Sequence, residues 1–387
     1  MSRFSCARFR MGRKDTEEWK MKQWLAALAA LGLGLALCGR ADALSARSAI
    51  VLDGLTGETL LEQNADETLP MASTTKIMTA LTAIELGDID RVYTVKPAYT
   101  AVEGSSMYLE TGETLSIRDT LYGLMLMSGN DAALAIAGEY GGEEAFVAAM
   151  NEKAAALGLW HTHFDNPNGL DGPTHYTTAR ELAKLAAYAM ENETFREIVS
   201  TRTYTSGTRT MVNHNKLLRL YEGAVGVKTG FTKKSGRCLV SAAERNGRRL
   251  IAVTLNAPDD WNDHMEMLDD GFAQYEEVTL HQADDEVGEV PVEGGMLRRV
   301  GVDGDHTVRL FLTAREQENL ETRILGRRFV YAPVTEGGRY GTVEYRLGSA
   351  VLASDTLHYG VGTEQLAPAP SRLERLLGLW RGLFDKE

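Results

Sequence analysis

A serine and a lysine three residues apart, Ser73 and Lys76, sit in the stretch Met71-Ala-Ser-Thr-Thr-Lys-Ile-Met-Thr79. On a helix, residues at that spacing share one face, one above the other. A serine hydroxyl is a poor nucleophile until a neighbouring base takes its proton, and a neutral lysine amine can be that base. A free lysine titrates at about 10.4, so holding half of it neutral at pH 7 costs ~4.6 kcal/mol. Burial and a second nearby cation both push an amine in that direction. Taken alone, S-x-x-K also describes an ordinary N-capped helix with a solvated lysine. The chemistry therefore needs partners from elsewhere in the chain.

Two later triplets can supply them. Ser128-Gly129-Asn130 falls where one predicted helix ends and another begins, and Lys228-Thr229-Gly230 lies on a short, glycine-flanked strand. Separately, the first reads as a helix stop with an N-cap and the second as a strand end. Together they add a second hydroxyl, an amide and a second cation to Ser73 and Lys76. His161-Thr-His163-Phe-Asp165 alternates two imidazoles without the pattern of an open metal site, so a structural or surface role is expected and no metal or cofactor is called for. His214 is read as a substrate contact or an ordinary hydrogen-bonding residue.

The elements that must position these groups follow from the periodicities. Residues 49–53 and 58–62 flank a Gly-Leu-Thr-Gly turn and predict a hairpin. A helix opens near Ser73 and runs toward Leu86. Ser116-Ile-Arg-Asp119 resembles a capping box ahead of an apolar helix, and Thr178 caps another. Residues 130–140 and 143–157 also read as helical. Strands are expected to return after Met190. Arg245-Asn246-Gly247-Arg248 separates two apolar runs and signals a tight hairpin. A helix over about 261–275 closes the unit. Strands at both ends with helices between predict an α+β fold: one antiparallel sheet, flanking helices and a helical subdomain. From about Glu276 the texture changes to short strand-like pieces and glycine-rich turns, which predicts a small all-β domain.

The ends carry their own signals. Met21-Lys-Gln precedes an apolar run, Trp24 to Leu37, and then Ala41-Asp42-Ala43, the layout of an export signal cleaved after Ala43. Translation is expected to start at Met21. Removal of residues 1–43 takes Cys6 and Cys38 and leaves only Cys238, in an apolar strand, so no internal disulfide is expected. At the other end Ala367-Pro-Ala-Pro370 is a stiff spacer. Beyond it Leu373, Leu376, Leu377, Trp380, Leu383 and Phe384 fall on one helical face flanked by arginines, which predicts a membrane-surface helix. The 387-residue chain has a net charge of −13 and no long basic run, which argues against a nucleic-acid partner. The expected division is 1–43 signal, 44–275 catalytic, 276–366 β-rich, and 367–387 spacer and helix.

S-x-x-K, an S-x-N triplet and K-T-G, in this order, resemble the signature of penicillin-binding proteins and class A β-lactamases. The chain from about Leu44 to Tyr275 resembles the low-molecular-mass penicillin-binding proteins that act as serine-type D-alanyl-D-alanine carboxypeptidases. The likeness extends to Asn166-Pro-Asn-Gly-Leu-Asp171, His175-Tyr-Thr-Thr178 and Asn213-His-Asn-Lys-Leu-Leu218. By that resemblance Ser73 attacks the carbonyl between the last two D-alanines of a peptidoglycan stem peptide, and Lys76 is the general base. Ser128 relays a proton to the leaving group. Asn130 bonds the substrate amide and helps fix Lys76. Lys228 and Thr229 grip the terminal carboxylate, and Gly230 lets substrate approach the strand. The backbone N–H groups of Ser73 and Phe231 form the oxyanion hole. The implied partners are stem peptides and, as covalent inhibitors, β-lactams, met at the outer face of the cytoplasmic membrane or in the cell-wall space. A D,D-endopeptidase, a transpeptidase and a β-lactam sensor without turnover stay open as alternatives. A class A β-lactamase fits less well, because residues 154–180 contain no glutamate and Gly129 stands at the triplet centre.

Overall fold

In the computed structural model, which describes residues 44–367, 373–375 and 377, strand β1 (Ser48–Asp53) is buried at every position. It pairs antiparallel with β2 (Thr59–Gln63) through the predicted turn. A 3-10 turn over Ala72–Thr75 leads directly into helix α1 (Lys76–Leu86). Every residue from 76 to 83 is buried, so α1 has no solvated face and is the axis of the helical region. Next come β3 (Val92–Thr94), the single turn α2 (Pro97–Thr100), β4 (Thr114–Ser116), and helices α3 (Ile117–Leu126), α4 (Asn130–Glu139), α5 (Glu143–Ala156) and α6 (Ala179–Glu191). Ser116 and Thr178 cap α3 and α6 as expected, accepting from the N–H groups of Asp119 and Glu181.

Helix α7 (Glu193–Ser200) stands where strands were expected to return. Phe195, Ile198 and Val199 are buried at helical spacing, and Asn192 caps the helix by accepting from the Phe195 N–H. The hairpin β5 (Thr203–Ser206) and β6 (Arg209–Val212) and the one-turn α8 (Leu217–Leu220) precede the rest of the main sheet. Strands β7 (Ala224–Thr232), β8 (Gly236–Arg245) and β9 (Arg248–Leu255) complete an antiparallel five-stranded sheet in the order β2-β1-β9-β8-β7. Asn246 and Gly247, at φ 51° and 76°, make the tight turn between β8 and β9 with the handedness that suits a twisted hairpin. Helix α9 (Asp260–Phe272) packs on this sheet. Its buried His264 bonds Ser241 Oγ on β8 at 2.6 Å and Thr254 Oγ1 on β9 at 2.9 Å. Burial pushes that imidazole down to about 3, so it stays neutral. One continuous apolar core joins the sheet to the surrounding helices.

Beyond α9 the chain is β-rich: β10 (Glu276–His281), β11 (Glu286–Glu293), β12 (Arg299–Gly304), β13 (Val308–Leu312), helix α10 (Ala314–Asn319), β14 (Glu321–Leu325), β15 (Val330–Tyr331), β16 (Arg339–Leu347) and β17 (Ala350–Tyr359). Six of these strands form one sheet around a separate core that includes Val292, Val302, Val343 and Leu357. The short helix α10 was not anticipated, and a turn divides β16 from β17. The fold is thus α+β, with an antiparallel sheet and helices followed by a β-rich region.

A buried polar cluster joins the two parts. Arg248, at the start of β9, donates to Asp53 Oδ2 at 2.8 Å and to Glu316 on α10. Tyr275 donates to the same Asp53 oxygen at 2.8 Å and lies under the guanidinium. Glu316 also closes the capping box of α10 with Thr313, so its position is fixed from both sides.

The expected signal segment, the Met21 start, Cys6, Cys38 and most of the terminal helix lie outside the described residues. Among the described residues no helix is long and apolar enough to cross a membrane.

Candidate active site

Ser73 sits on the 3-10 turn that precedes α1, not in the α-helix expected to open there. Three residues per turn eclipse positions i and i+3, which stacks Ser73 over Lys76 directly. Lys76 Nζ lies 2.9 Å from Ser73 Oγ, 2.7 Å from Asn130 Oδ1, and within hydrogen-bond reach of the Asn168 carbonyl. The orientation of the Asn130 amide is set by its nitrogen, which donates to Glu103 O at 2.7 Å and leaves the oxygen facing Lys76. Both Asn130 Oδ1 and the Asn168 carbonyl can only accept. A neutral amine has two hydrogens and one lone pair. Those two acceptors take the hydrogens, and the lone pair is left pointing at the Ser73 hydroxyl.

The electrostatics agree with that assignment. Lys76 is fully buried because α1 is surrounded, and burial is the main force holding its pKa well below the ordinary lysine range. The charge on Lys228 pushes the same way, and Asp131 opposes it. Lys228 is itself buried on β7, where burial brings it down to about 7. Its Nζ donates to Thr229 O at 2.8 Å. Charge on Lys228 in the third triplet therefore bears on the amine of the first.

Ser73, Ser105, Ser128, His214, Thr229, Gly230 and Phe231 line one cleft of about 320 Å³. Lys76 and Asn130 lie beneath Ser73, and Lys228 lies within the strand wall. All three triplets are thus brought together. Gly230 has a more local duty than admitting substrate. A Cβ there would come 3.0 Å from the Ser73 nitrogen and 3.1 Å from the Ala72 Cβ, so its lack of a side chain lets β7 close on the nucleophile turn. Ser128 in this cleft and Ala72, buried next to Ser73, have left-handed backbones without being glycine, at φ 60° and 48°.

Several supporting groups carried no readable role. Asp131 accepts from the N–H groups of Met107 and Leu109 and from Ser106 Oγ, which pins the loop that brings Ser105 to the cleft. Gly169 has φ +88°, and a Cβ on it would meet Ala72 O at 2.1 Å, so only glycine lets the Asn168 carbonyl reach Lys76. His175 Nδ1 accepts from the Asp165 N–H, so its Nε2 donates to Thr75 Oγ1, whose hydrogen goes to Ala72 O. Burial keeps this imidazole neutral, pushed down to about 4, and it props the nucleophile turn from below. Arg237, bonded to Asp260 at 2.7 Å and lying over Trp261, forms another wall of the cleft. The Asn166–Asp171 and His175–Thr178 segments were the signal for Gly169 and His175. Nothing local marks Asp131 or Arg237.

His214 lines the cleft, and its pKa is lowered by burial and by Lys228. His161 and His163 engage Glu181 and Asp165, and no group of metal-ligating side chains occurs among the described residues. Cys238 is buried, and burial drives its thiol up to about 11.

A buried lysine poised on a serine, on a helix packed against an antiparallel sheet, defines a serine acyl-transfer enzyme. The D-alanyl-D-alanine carboxypeptidase family profile matches residues 37–259, and the profile "Penicillin-binding protein 5, C-terminal domain" matches residues 275–364. The chain is 33% identical to the D-alanyl-D-alanine carboxypeptidase DacF of Bacillus subtilis over 87% of its length and 90% of that protein. It is 34% identical to DacC of Escherichia coli over 79% of its length and 81% of that protein. Penicillin binding protein 5 from Haemophilus influenzae superposes with a TM-score of 0.59 at 27% identity, covering 83% of this chain and 98% of that one. The Streptomyces K15 DD-transpeptidase gives 0.58 at 37% identity, over 59% of this chain and 98% of that one. The chain belongs to the serine-type D-alanyl-D-alanine carboxypeptidases, the low-molecular-mass penicillin-binding proteins.

Proposed function

We propose that the chain removes the terminal D-alanine from peptidoglycan stem peptides through an ester on Ser73. The observation that carries this is the 2.9 Å contact between Ser73 Oγ and a lysine amine whose other neighbours are acceptors. As Ser73 Oγ bonds to the penultimate carbonyl carbon, its proton passes to Lys76 Nζ. The oxyanion faces the backbone N–H groups of Ser73 and Phe231, which the close approach at Gly230 brings toward each other. Ser128 relays the proton from Lys76 Nζ to the departing D-alanine nitrogen as the C–N bond breaks, which returns Lys76 to the neutral amine. Water then opens the ester, with Lys76 again taking a proton. Lys228 contributes positive charge beneath Thr229 toward the substrate carboxylate. A β-lactam would be attacked in the same way and leave a stable acyl-enzyme.

Glu181, just beyond the glutamate-free stretch 154–180, is not a β-lactamase base. It is instead consumed by structure, accepting from the His161 N–H at 2.9 Å and from Thr162 Oγ1 at 2.6 Å. The likeness to a transpeptidase makes the acceptor the open variable, because only water or an amine distinguishes the two outcomes. We assign residues 44–275 to the catalytic domain, 276–366 to a β-rich domain, 1–43 to an export signal and 367–387 to a tail on the membrane surface. Exposure of Leu373 and Leu377 supports the last assignment. The test is release of D-alanine from a stem-peptide mimic. Wild type should release it, and Ser73→Ala should lose both release and penicillin labelling. Labelling of the wild type without release would leave a sensor, and D-alanine exchanged for an added amine would leave a transpeptidase.

A further inference from the structure

The end of the β-rich region from which the tail departs carries a cluster of exposed apolar side chains. Met296 and Tyr331 are 68% and 72% exposed, and Leu297, Phe329 and Leu366 are exposed beside them. Their neighbourhood is fixed by the backbone. Glu293 on β11 pairs with Tyr331 on β15, and the Phe329 and Tyr331 rings meet edge-on at 5.4 Å. Met296 N–H donates to Glu364 O, Leu297 N–H donates to Thr363 Oγ1, and Leu366 N–H donates to Gly294 O. Segments 294–297, 329–332 and 363–366 thus form one surface.

Arginines border it: Arg298 and Arg299 follow Leu297, and Arg327 and Arg328 precede Phe329, all exposed. Glu293 and Glu364 lie within the same surface, Glu336 packs beside Gly362, and Arg299 is paired with Glu289, which leaves Arg298, Arg327 and Arg328 as the cations at its border in a chain whose net charge is −13. Large apolar side chains ringed by cations are what an anionic lipid surface selects, the former for the acyl boundary and the latter for headgroups. A tyrosine at such a border suits the interface level.

The tail gives the direction. Ala367 follows directly from Leu366, and the residues after it carry the apolar helical periodicity read from the sequence. Leu373 and Leu377 are 68% and 53% exposed, so the tail does not bury them on this surface. We propose that the arginine-bordered apolar end of the β-rich region, around Met296, Leu297, Phe329 and Tyr331, lies directly on an anionic membrane surface alongside the tail. This rests on the reading of the tail as a membrane-surface segment. It makes the β-rich region a second contact that fixes orientation, where a tail alone would leave the protein free to swing.

The test uses the chain from Leu44 to Glu387 and vesicles of phosphatidylglycerol and phosphatidylethanolamine. Cys238 is buried, so Met296→Cys takes a polarity-sensitive dye at one site. The expected result is a blue shift on adding vesicles, absent for Asp90→Cys on the catalytic part. The triple variant Met296→Ser, Leu297→Ser, Tyr331→Ser should bind vesicles about tenfold more weakly while releasing D-alanine from a soluble mimic at the wild-type rate. Vesicle-bound protein whose Met296→Cys dye stays in water overturns the proposal and leaves the tail reading standing. Failure of the chain to bind vesicles at all overturns both. A blue shift before vesicles are added means that the tail or a second copy covers the surface, and also overturns it.

Discussion

In the proposed mechanism Lys76 is the residue on which the chemistry turns, and its state sets the pH behaviour. Acylation needs the neutral amine, so activity falls as pH drops through its lowered pKa. Lys228, pushed down to about 7, is charged below that value and neutral above it. Free enzyme above about pH 7 thus loses a positive charge that favours the substrate carboxylate, and kcat/KM should decline there. Bound carboxylate stabilises the ammonium, so kcat should hold to higher pH than kcat/KM. Lys228→Ala removes the like charge beside Lys76, raises the Lys76 pKa and moves the acid limb to higher pH. A profile of kcat/KM against pH for both proteins checks each sign, and an unmoved acid limb would break the coupling. Stability carries the same signature. An unfolded lysine titrates at about 10.4, so between pH 7 and 10 the unfolded chain binds a proton that the fold refuses, and stability should rise with pH. Denaturant titrations across that range would read it.

The relevant elements are the nucleophile turn and the edge strand β7, which touch where neither has room for another atom. Gly230→Ala should force them apart by a few tenths of an ångström, costing about 1–3 kcal/mol of stability. Acylation by penicillin should fall by more than the folded fraction does, because the Ser73 and Phe231 N–H groups separate. Equal losses in both would mean that the glycine serves packing alone. At this scale the sequence was legible where a signal is local. The Asn246-Gly247 turn, the Ser116 and Thr178 caps and the three triplets all specify structure within a few residues. Helix α7 had its signals too, an Asn192 cap and Phe195, Ile198 and Val199 at helical spacing, but β-branched residues and a threonine-rich strand follow closely and obscured them. What was not legible is long-range. The Asn168 carbonyl reaches Lys76 across 92 positions, and Asp131 holds a loop more than 20 residues away. No spacing rule encodes either, because only the folded chain makes them neighbours.

Across the whole molecule, the Arg248 cluster is where the two parts are joined. Arg248→Met leaves Asp53 and Glu316 buried without their shared cation, and should cost about 3–5 kcal/mol. The cleft lies elsewhere, so kcat/KM on a soluble mimic should persist at temperatures where the variant is still folded. Calorimetry should show a lowered transition, and a variant as stable as wild type would mean the cluster rearranges. Arg248 also shows why the chain could be divided by texture yet not assembled from it. Glu316 reads as a plain capping-box residue, and nothing in the sequence points it at an arginine 68 positions earlier.

Ala72 and Ser128 have backbones that side-chain-bearing residues avoid, at about 1–3 kcal/mol apiece. The surrounding sheet and helices hold both in place, so the catalytic pocket is wound tighter than the scaffold that encloses it. Warming should let this spring relax first. Turnover ought to fade several degrees before far-UV circular dichroism registers any melting, and an Ala72→Gly exchange, which slackens the coil without disturbing its frame, should raise the melting point while dulling the enzyme.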